Sequence, residues 1–484
     1  MFGTSRIQNN RQFLLASLTL IVCGFTYFTR SALGGLLPVW SDEFFYYLNA
    51  KNFFLNSTLE AAFTYTGQGS ILFHADAHGF AYPLLHGTIA WIFGFHPLNI
   101  PLTNLSLVAL SLLIIFLSAN LKAEQKLTMA VCLSGFFVVP FYTFTYMQES
   151  LHLFFATVLS LLLIIIYKDA RPKARTIVIY LLIILIAALF RNIWLFWSIG
   201  LLPLATNKKS LLLYALIFII FSGIAFLAIK LLYDPFSSGY FSQLTLVIQQ
   251  GNLTSIALSL ITHLFTNIKL YFTPGSGLTL LYFAARTIIA FGTAGLFILS
   301  YRNNDRLYRA AMLICFVNLA LLLYAPLEGT RSISPLFYLV TIIFVYRSQE
   351  TWSTTLLVFT LALLPFTYLP LSEELSERSR QFSSYYANTS AVAAYDALAT
   401  EADVKDAPLV YLAELPKDYS PDLLLLPLQT TSGKPIKYAV NYSAVAINLR
   451  RNYDFVLSKT RRSAVDFMKE VTSNSYCTLY RLKK

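Results

Sequence analysis

Charge is what this sequence most lacks. Asp, Glu, Lys and Arg together supply 12% of its 484 residues, against roughly a quarter in an ordinary soluble domain. With 56% hydrophobic residues, the chain cannot be a soluble globular protein of the usual kind. Cysteine is scarce too, with 4 in all. Cys23, Cys132 and Cys315 lie in apolar segments and Cys477 stands alone near the end. That excludes a disulfide framework in the tail and any cysteine-based metal spacing. No P-loop, dinucleotide fingerprint, internal repeat or low-complexity tract occurs. The net charge of +12 would point to nucleic acid in a soluble protein. Here the Lys and Arg of the first 370 residues sit mainly in short loops between apolar segments, which is the pattern of cytoplasmic charge retention and requires no nucleic acid.

What is present is apolar sequence of membrane length. A helix of roughly 17–25 apolar residues spans a bilayer, and runs such as 181–190 and 211–229 recur along most of the chain. Span length and loop charge predict an α-helical polytopic membrane protein with about eleven transmembrane helices. They fall near 12–29, 98–119, 128–145, 150–167, 176–190, 193–205, 211–232, 278–300, 310–327, 332–346 and 353–370. The segment 176–205 reads as a hairpin broken at Arg191-Asn192. The run 13–28 follows Arg6 and Arg11 as a signal peptide would, but without a small-residue cleavage site, and reads as a retained first span.

Basic loops set the topology. Arg6 and Arg11, Lys122/Lys126, Lys168/Arg171/Lys173/Arg175, Lys208/Lys209, Arg302/Arg306/Arg309 and Arg347 form one cytoplasmic set. Parity then puts residues 30–97, 146–149, the Arg191 tip, 233–277, 328–331 and the tail after Pro370 outside. The stretch 81–96 is too short for a span and reads as an interfacial or re-entrant helix. At Leu371-Ser372-Glu373-Glu374 the composition turns soluble, and short apolar runs alternate with polar helical stretches. Residues 1–370 are expected to form the transmembrane unit, with a first external loop over 30–97. Residues 371–484 are expected to form a small extracytoplasmic α/β domain.

Several ionisable residues fall on the external side. Trp40-Ser41-Asp42-Glu43 places two carboxylates at the start of an amphipathic segment reaching Leu55. Neighbours on a helix face different ways, so one serves as a general base while the other holds a metal or orients a helix end, or both are an acidic first turn. Glu149 opens a span. Arg191 sits in an otherwise apolar hairpin, either gripping a phosphate or snorkelling to headgroups. Glu328-Gly329-Thr330-Arg331 precedes Pro335, with Arg331 either paired to Glu328 or facing the cavity of Arg191. His74, Asp76 and His78 either alternate as metal ligands on an extended strand would or are ordinary loop residues. Lys269, near His263 and Asn267, meets a phosphate or anionic headgroups. A divalent cation on carboxylates, with arginines for phosphate oxygens, makes a coherent site.

The order of these features resembles the GT-C superfamily of polyprenyl-phosphate-dependent glycosyltransferases. In style it is similar to protein O-mannosyltransferases and the aminoarabinose transferases of lipid A. The resemblance covers residues 10–370. It rests on Asp42-Glu43 with Tyr46 and Ala50, Tyr82-Pro83 leading to Phe93-Gly94, Glu149, Arg191, and Arg331 with Pro335. It implies a membrane enzyme, in the inner membrane of a bacterium with its N-terminus cytoplasmic, that takes a sugar from a lipid-linked phosphate with inversion. Asp42 would deprotonate an acceptor hydroxyl on a protein, glycolipid or glycan. Glu43 and Glu149 would bind a divalent cation (Mg or Mn) or position the acceptor, and Arg191 and Arg331 would contact the carrier phosphate. The competing class is a transporter or flippase for a lipid-linked substrate, which would more often show inverted repeats and charges near the midplane. A non-catalytic assembly scaffold, using the tail for binding, is the third.

Overall fold

The computed structural model describes residues 41–64, 80–169, 172–232, 253–274, 278–324, 333–348, 389–404, 408–413, 424–440, 453–458, 468–473 and 478–483. The expected spans 12–29 and 353–370 lie outside the described residues. The helices, in chain order, begin with α1 (Ser41–Asn56), α2 (Ala81–Phe93), α3 (Asn99–Leu117) and α4 (Ala123–Gly135). Next come α5 (Val138–Tyr142), α6 (Glu149–Lys168), α7 (Ala174–Ala188) and a 3₁₀ helix, Asn192–Leu204. They continue with α8 (Lys208–Leu232), α9 (Leu253–Tyr271), α10 (Leu278–Arg302) and α11 (Arg306–Tyr324), and end with α12 (Ser334–Arg347) and α13 (Thr389–Glu401).

Among the described residues, α3, α6, α8 and α10 are long and apolar enough to cross a membrane, and α7, the 3₁₀ helix and α12 are shorter apolar helices. Their burial separates inner from outer. In α6 72% of the apolar window is buried, whereas in α8 the figure is 6%. α6 packs on α3, α7 and α12 and forms the central rod, while α8 leans on the 3₁₀ helix and turns Leu212, Ile219 and Leu227 outward. Side chains as apolar as lipid tails stay outside in a bilayer at no cost. The α7 hairpin turns at Arg191, whose backbone is extended (φ −159°, ψ 123°), and Tyr180 Oη donates to Trp197 O at 2.8 Å to close it.

The stretch 128–145 does not form the continuous span expected of it. Helix α4 ends at Gly135, Phe136 is extended, and the short α5 gives way to an irregular segment reaching Gln148. Glycine followed by Pro140, which lacks an N–H, interrupts the helical ladder. The external segment expected at 233–277 contains α9. Arg286, inside α10, donates from Nη1 to Leu270 O at 3.3 Å and lies over the Tyr271 ring, closing the C-terminal end of α9.

One end of the helices gathers the basic loops. Lys168 Nζ donates to Asn120 Oδ1 at 2.8 Å, Gln125 Nε2 to Tyr346 O at 2.7 Å, and Arg347 pairs with Asp305 at 2.8 Å. Since α6 rises about 1.5 Å per residue, Glu149 stands about 30 Å from that end.

At the Glu149 end, α1 is buried almost all round: Glu43 through Ala50 are all buried. Each fully buried Phe or Tyr there contributes on the order of 1.5–3 kcal/mol. Strands β2 (Leu409–Ala413), β3 (Lys437–Ala439), β4 (Phe455–Ser458), β5 (Met468–Ser473) and β6 (Thr478–Leu482) build a mixed sheet. β3, β2 and β4 are parallel, and β4, β6 and β5 antiparallel. The edge beside β3 is β1 (Phe63–Thr64), from the segment after α1, pairing Phe63 with Tyr438 and Thr64 with Ala439. Strands hydrogen-bonded in one sheet lie on one side of a membrane, so residues 63–64 and the tail strands share a side.

α2 packs on α1 at Gly87, where a Cβ would stand 2.5 Å from Phe53 Cδ1 and 3.1 Å from Ala50 O. Gly87→Ala is therefore expected to lose about 1–3 kcal/mol of stability, seen as a lower unfolding temperature in detergent; an unchanged temperature would mean that α1 and α2 separate freely.

Candidate functional site

The site is built around a loop that satisfies only part of its own backbone. Thr143 to Gln148 are buried yet lie outside any long helix. The N–H groups of Thr143, Thr145 and Met147 bond locally, to Val139 O, Tyr142 O and Thr145 Oγ1, and the groups left over need partners from elsewhere. Three elements supply them. Glu43 of α1 accepts the Tyr146 N–H at Oε2 (2.8 Å). Tyr82 of α2 donates to Tyr146 O (2.7 Å) and Met147 O (3.3 Å). Asn104 of α3 donates to Thr145 O (2.9 Å) and Met147 O (3.0 Å). Tyr46 Oη accepts from Gln148 Nε2 (2.7 Å), and its ring meets Tyr82 at 4.4 Å.

These contacts bring two predicted carboxylates to one phenol. Burial pushes the Tyr82 hydroxyl well above its ordinary range, and the fields of Tyr46, Glu149 and Glu43 add to the shift. Tyr82 therefore stays protonated and donates. Glu149 is 3% exposed at the first turn of α6, where the helix dipole favours a carboxylate, and its field also reaches Tyr338 of α12. Asp42 shares the first turn of α1 with Glu43 but is half-exposed, so the two acids have different surroundings. Glu43 is a fully buried clamp on the loop, and Asp42 faces partly outward.

Arg191 reaches the same helix by another route. Its Nη1 donates to His152 Nε2 at 3.2 Å. Guanidinium has no acceptor, so that imidazole nitrogen accepts and the ring proton sits on Nδ1. His152 lies one turn beyond Glu149, and residues three apart share a helix face. The ring stands 5.8 Å from Trp194. Lys269 is exposed in the last turn of α9, and among the described residues no contact links it to the Glu43–Glu149 group. Arg331, His74, Asp76 and His78 lie outside the described residues.

No three His, Cys, Asp or Glu side chains among the described residues are grouped to hold a metal. Of the expected ligands, Glu43 and Glu149 both act electrostatically on Tyr82, and Glu43 already accepts a backbone N–H. The described residues alone do not make a cation site.

Several members were not singled out by sequence reasoning for this site. Tyr82 was noted only as part of a motif, and Asn104 and His152 look like ordinary polar residues in apolar runs. A polar residue inside an otherwise apolar stretch was the available signal. Lys51 lies two turns after Glu43 on α1, and burial lowers its ammonium below the usual lysine range. His86, one turn after Tyr82, is 1% exposed with its ring 4.2 Å from that phenol, and among the described residues neither ring nitrogen has a hydrogen-bond partner.

The solved structures similar to this chain include two of one protein. One is the Archaeoglobus fulgidus oligosaccharyltransferase in complex with Zn and sulfate: 14% identity, TM-score 0.47, over 90% of this chain and 68% of that one. The other is the same protein in its apo form: 12% identity, TM-score 0.46, over 91% and 69%. No family model and no curated protein matches the chain. Both structural likenesses are loose, and the functional reading rests on this chain's own residues.

Glu43→Gln retains an oxygen acceptor for the Tyr146 N–H and is expected to keep the loop, whereas Glu43→Leu leaves that N–H unsatisfied and costs about 1–3 kcal/mol. Thermal unfolding of the two variants checks this; equal losses would refute the clamp.

Burial holds His86 at about 3, below its ordinary 6.5. The unfolded chain takes up this proton below pH 6.5 and the folded chain does not until about pH 3. The contribution to stability is therefore whole above 6.5 and erodes as the pH falls below it, at about 1.4 kcal/mol per pH unit. His86→Phe is expected to lose less stability than the parent on acidification below 6.5; identical acid slopes in pH-dependent unfolding would contradict a buried neutral ring.

Proposed function

We propose that this protein is a membrane glycosyltransferase. It moves a sugar from a polyprenyl-phosphate donor to an acceptor hydroxyl on the extracytoplasmic side, with inversion. One observation carries the reading: Glu43 and Glu149 act on one buried phenol, with half-exposed Asp42 beside Glu43, at the end of the helix group opposite the basic loops. Acidic groups collected at one end, away from retained cations, fit chemistry at a membrane surface.

Asp42 is the base in this reading. It takes the proton of the acceptor hydroxyl as that oxygen attacks the anomeric carbon, and the bond from that carbon to the phosphate oxygen breaks with its electron pair on the phosphate. Positive charge spreads over the sugar ring and negative charge grows on the leaving group. Arg191, held by His152, and with it Arg331 and Lys269, stabilise the departing phosphate more than the neutral parts of the substrate. Glu149 positions the acceptor or holds a divalent cation, and Glu43 keeps the loop before Glu149 in place. The acceptor is a glycolipid, a glycan or a protein.

The test is purified protein in liposomes with candidate polyprenyl-phosphate sugars, following released carrier phosphate and sugar on the acceptor. Asp42→Asn is expected to lower turnover by about 10²–10⁴-fold with unfolding unchanged. Movement of the intact lipid-linked sugar across the bilayer, without release of carrier phosphate from any donor, would replace this reading with a transporter or flippase.

A further inference from the structure

Helix α1, which carries the acidic pair, is fastened to the tail sheet by a side chain that imitates a strand. Asn49, 3% exposed, accepts the Phe63 N–H at Oδ1 (3.0 Å) and donates from Nδ2 to Phe63 O (3.3 Å). A carboxamide presents one acceptor and donors side by side, as a peptide group does. It therefore occupies both backbone groups of Phe63 as a neighbouring strand would. On its other side β1 is held by β3, the carbonyls of Ala62 and Thr64 accepting from Tyr438 N–H (2.6 Å) and Val440 N–H (2.9 Å).

The far end of α1 repeats the connection. Asn52 donates to Glu60 O at 2.9 Å, and Asn56 donates to Leu428 O at 3.3 Å while accepting from Gln429 Nε2 at 2.9 Å. Glu60 and Lys437 form an ion pair between the segment before β1 and strand β3. The Asn52 bond ties α1 to the segment before β1, and each of the others joins α1, or that segment, to β1 or to the tail.

We propose that the tail sheet, acting through β1 and Asn49, sets the position of α1, and that Asn49 is a positioning residue for Asp42. Asp42 precedes Asn49 by about two helical turns, which puts both on one face of α1. A tilt or slide of α1 would move Asp42 and withdraw Glu43 from the Tyr146 N–H together. The sheet thus acts on the acidic pair without touching a substrate. This assigns a role to the tail that the proposed transfer reaction does not require, and only the activity measurement below depends on that reaction.

The experiment is hydrogen exchange on the full chain in detergent, beside the transfer assay. Asn49→Leu is expected to speed exchange of the α1 amides by about tenfold or more, while α6 stays unchanged. Turnover should fall by a similar factor with donor KM held. Asn49→Asp keeps the acceptor and loses the donors, and should lie between. If Asn49→Leu does not fold, charge exchange replaces it. Lys437→Glu or Glu60→Lys alone should speed α1 exchange by about threefold, and the double variant should restore it. Faster α1 exchange in a protein that transfers no sugar supports the anchoring and removes the transferase reading. Unchanged α1 exchange in Asn49→Leu, or in both single charge reversals, would overturn the proposal, as would faster exchange with full turnover per folded enzyme for the positioning role.

Discussion

Every part of the acidic end depends on satisfying the backbone of one buried loop. A helix provides its own hydrogen bonds, which is why helices cross membranes. The segment between α5 and α6 has no such ladder, and water does not reach it. The carbonyls and N–H groups that its own turns leave over must bond to side chains or carry a penalty of about 1–3 kcal/mol each. Glu43, Tyr82 and Asn104 come from three different helices, and each serves the same few peptide groups. The loop is therefore the keystone of α1, α2 and α3, and Glu149 emerges from it with a defined start to α6.

That arrangement divides the adjacent acids by environment. Glu43 has lost contact with water and holds a peptide N–H, and Asp42 keeps partial access to water. Burial, with the fields of Tyr46, Glu149 and Glu43 added to it, keeps the proton on Tyr82, so it remains a donor to the loop. Arg191 is braced in the same manner, through an imidazole one turn along α6 from Glu149. Position is thus conveyed along α6 from the acidic group to the cation.

Much of the helical framework was legible, because lipid imposes long apolar runs and those are local in sequence. The spans at α3, α6, α8 and α10, and the turn at Arg191, needed only hydropathy and one polar interruption. The stretch 128–145 was misread because its hydropathy is high throughout, and the glycine and proline that break it were outweighed. The Asp42-Glu43 pair was legible as a pair, yet which acid is clamped depends on Tyr146, a hundred residues away. Tyr82, Asn104, His86 and His152 were hidden for the same reason. A single polar residue in an apolar helix reveals that a partner exists, and only the fold tells which. The two-residue β1 has no periodicity to detect, and its pairing with Tyr438 spans most of the chain.

The pairing of Phe63 with Tyr438 also imposes an order on assembly. Contacts so distant in sequence form late, since the intervening chain must exist first. Synthesis at about 5–20 residues per second separates the two partners by roughly 20–75 s. Through that interval the bundle can insert while α1 still lacks its fastening, and β3 must leave the ribosome before β1 finds its partner. Under the proposed anchoring, the order of manufacture serves as a delay: the acidic end matures only in chains whose tail has been made and folded.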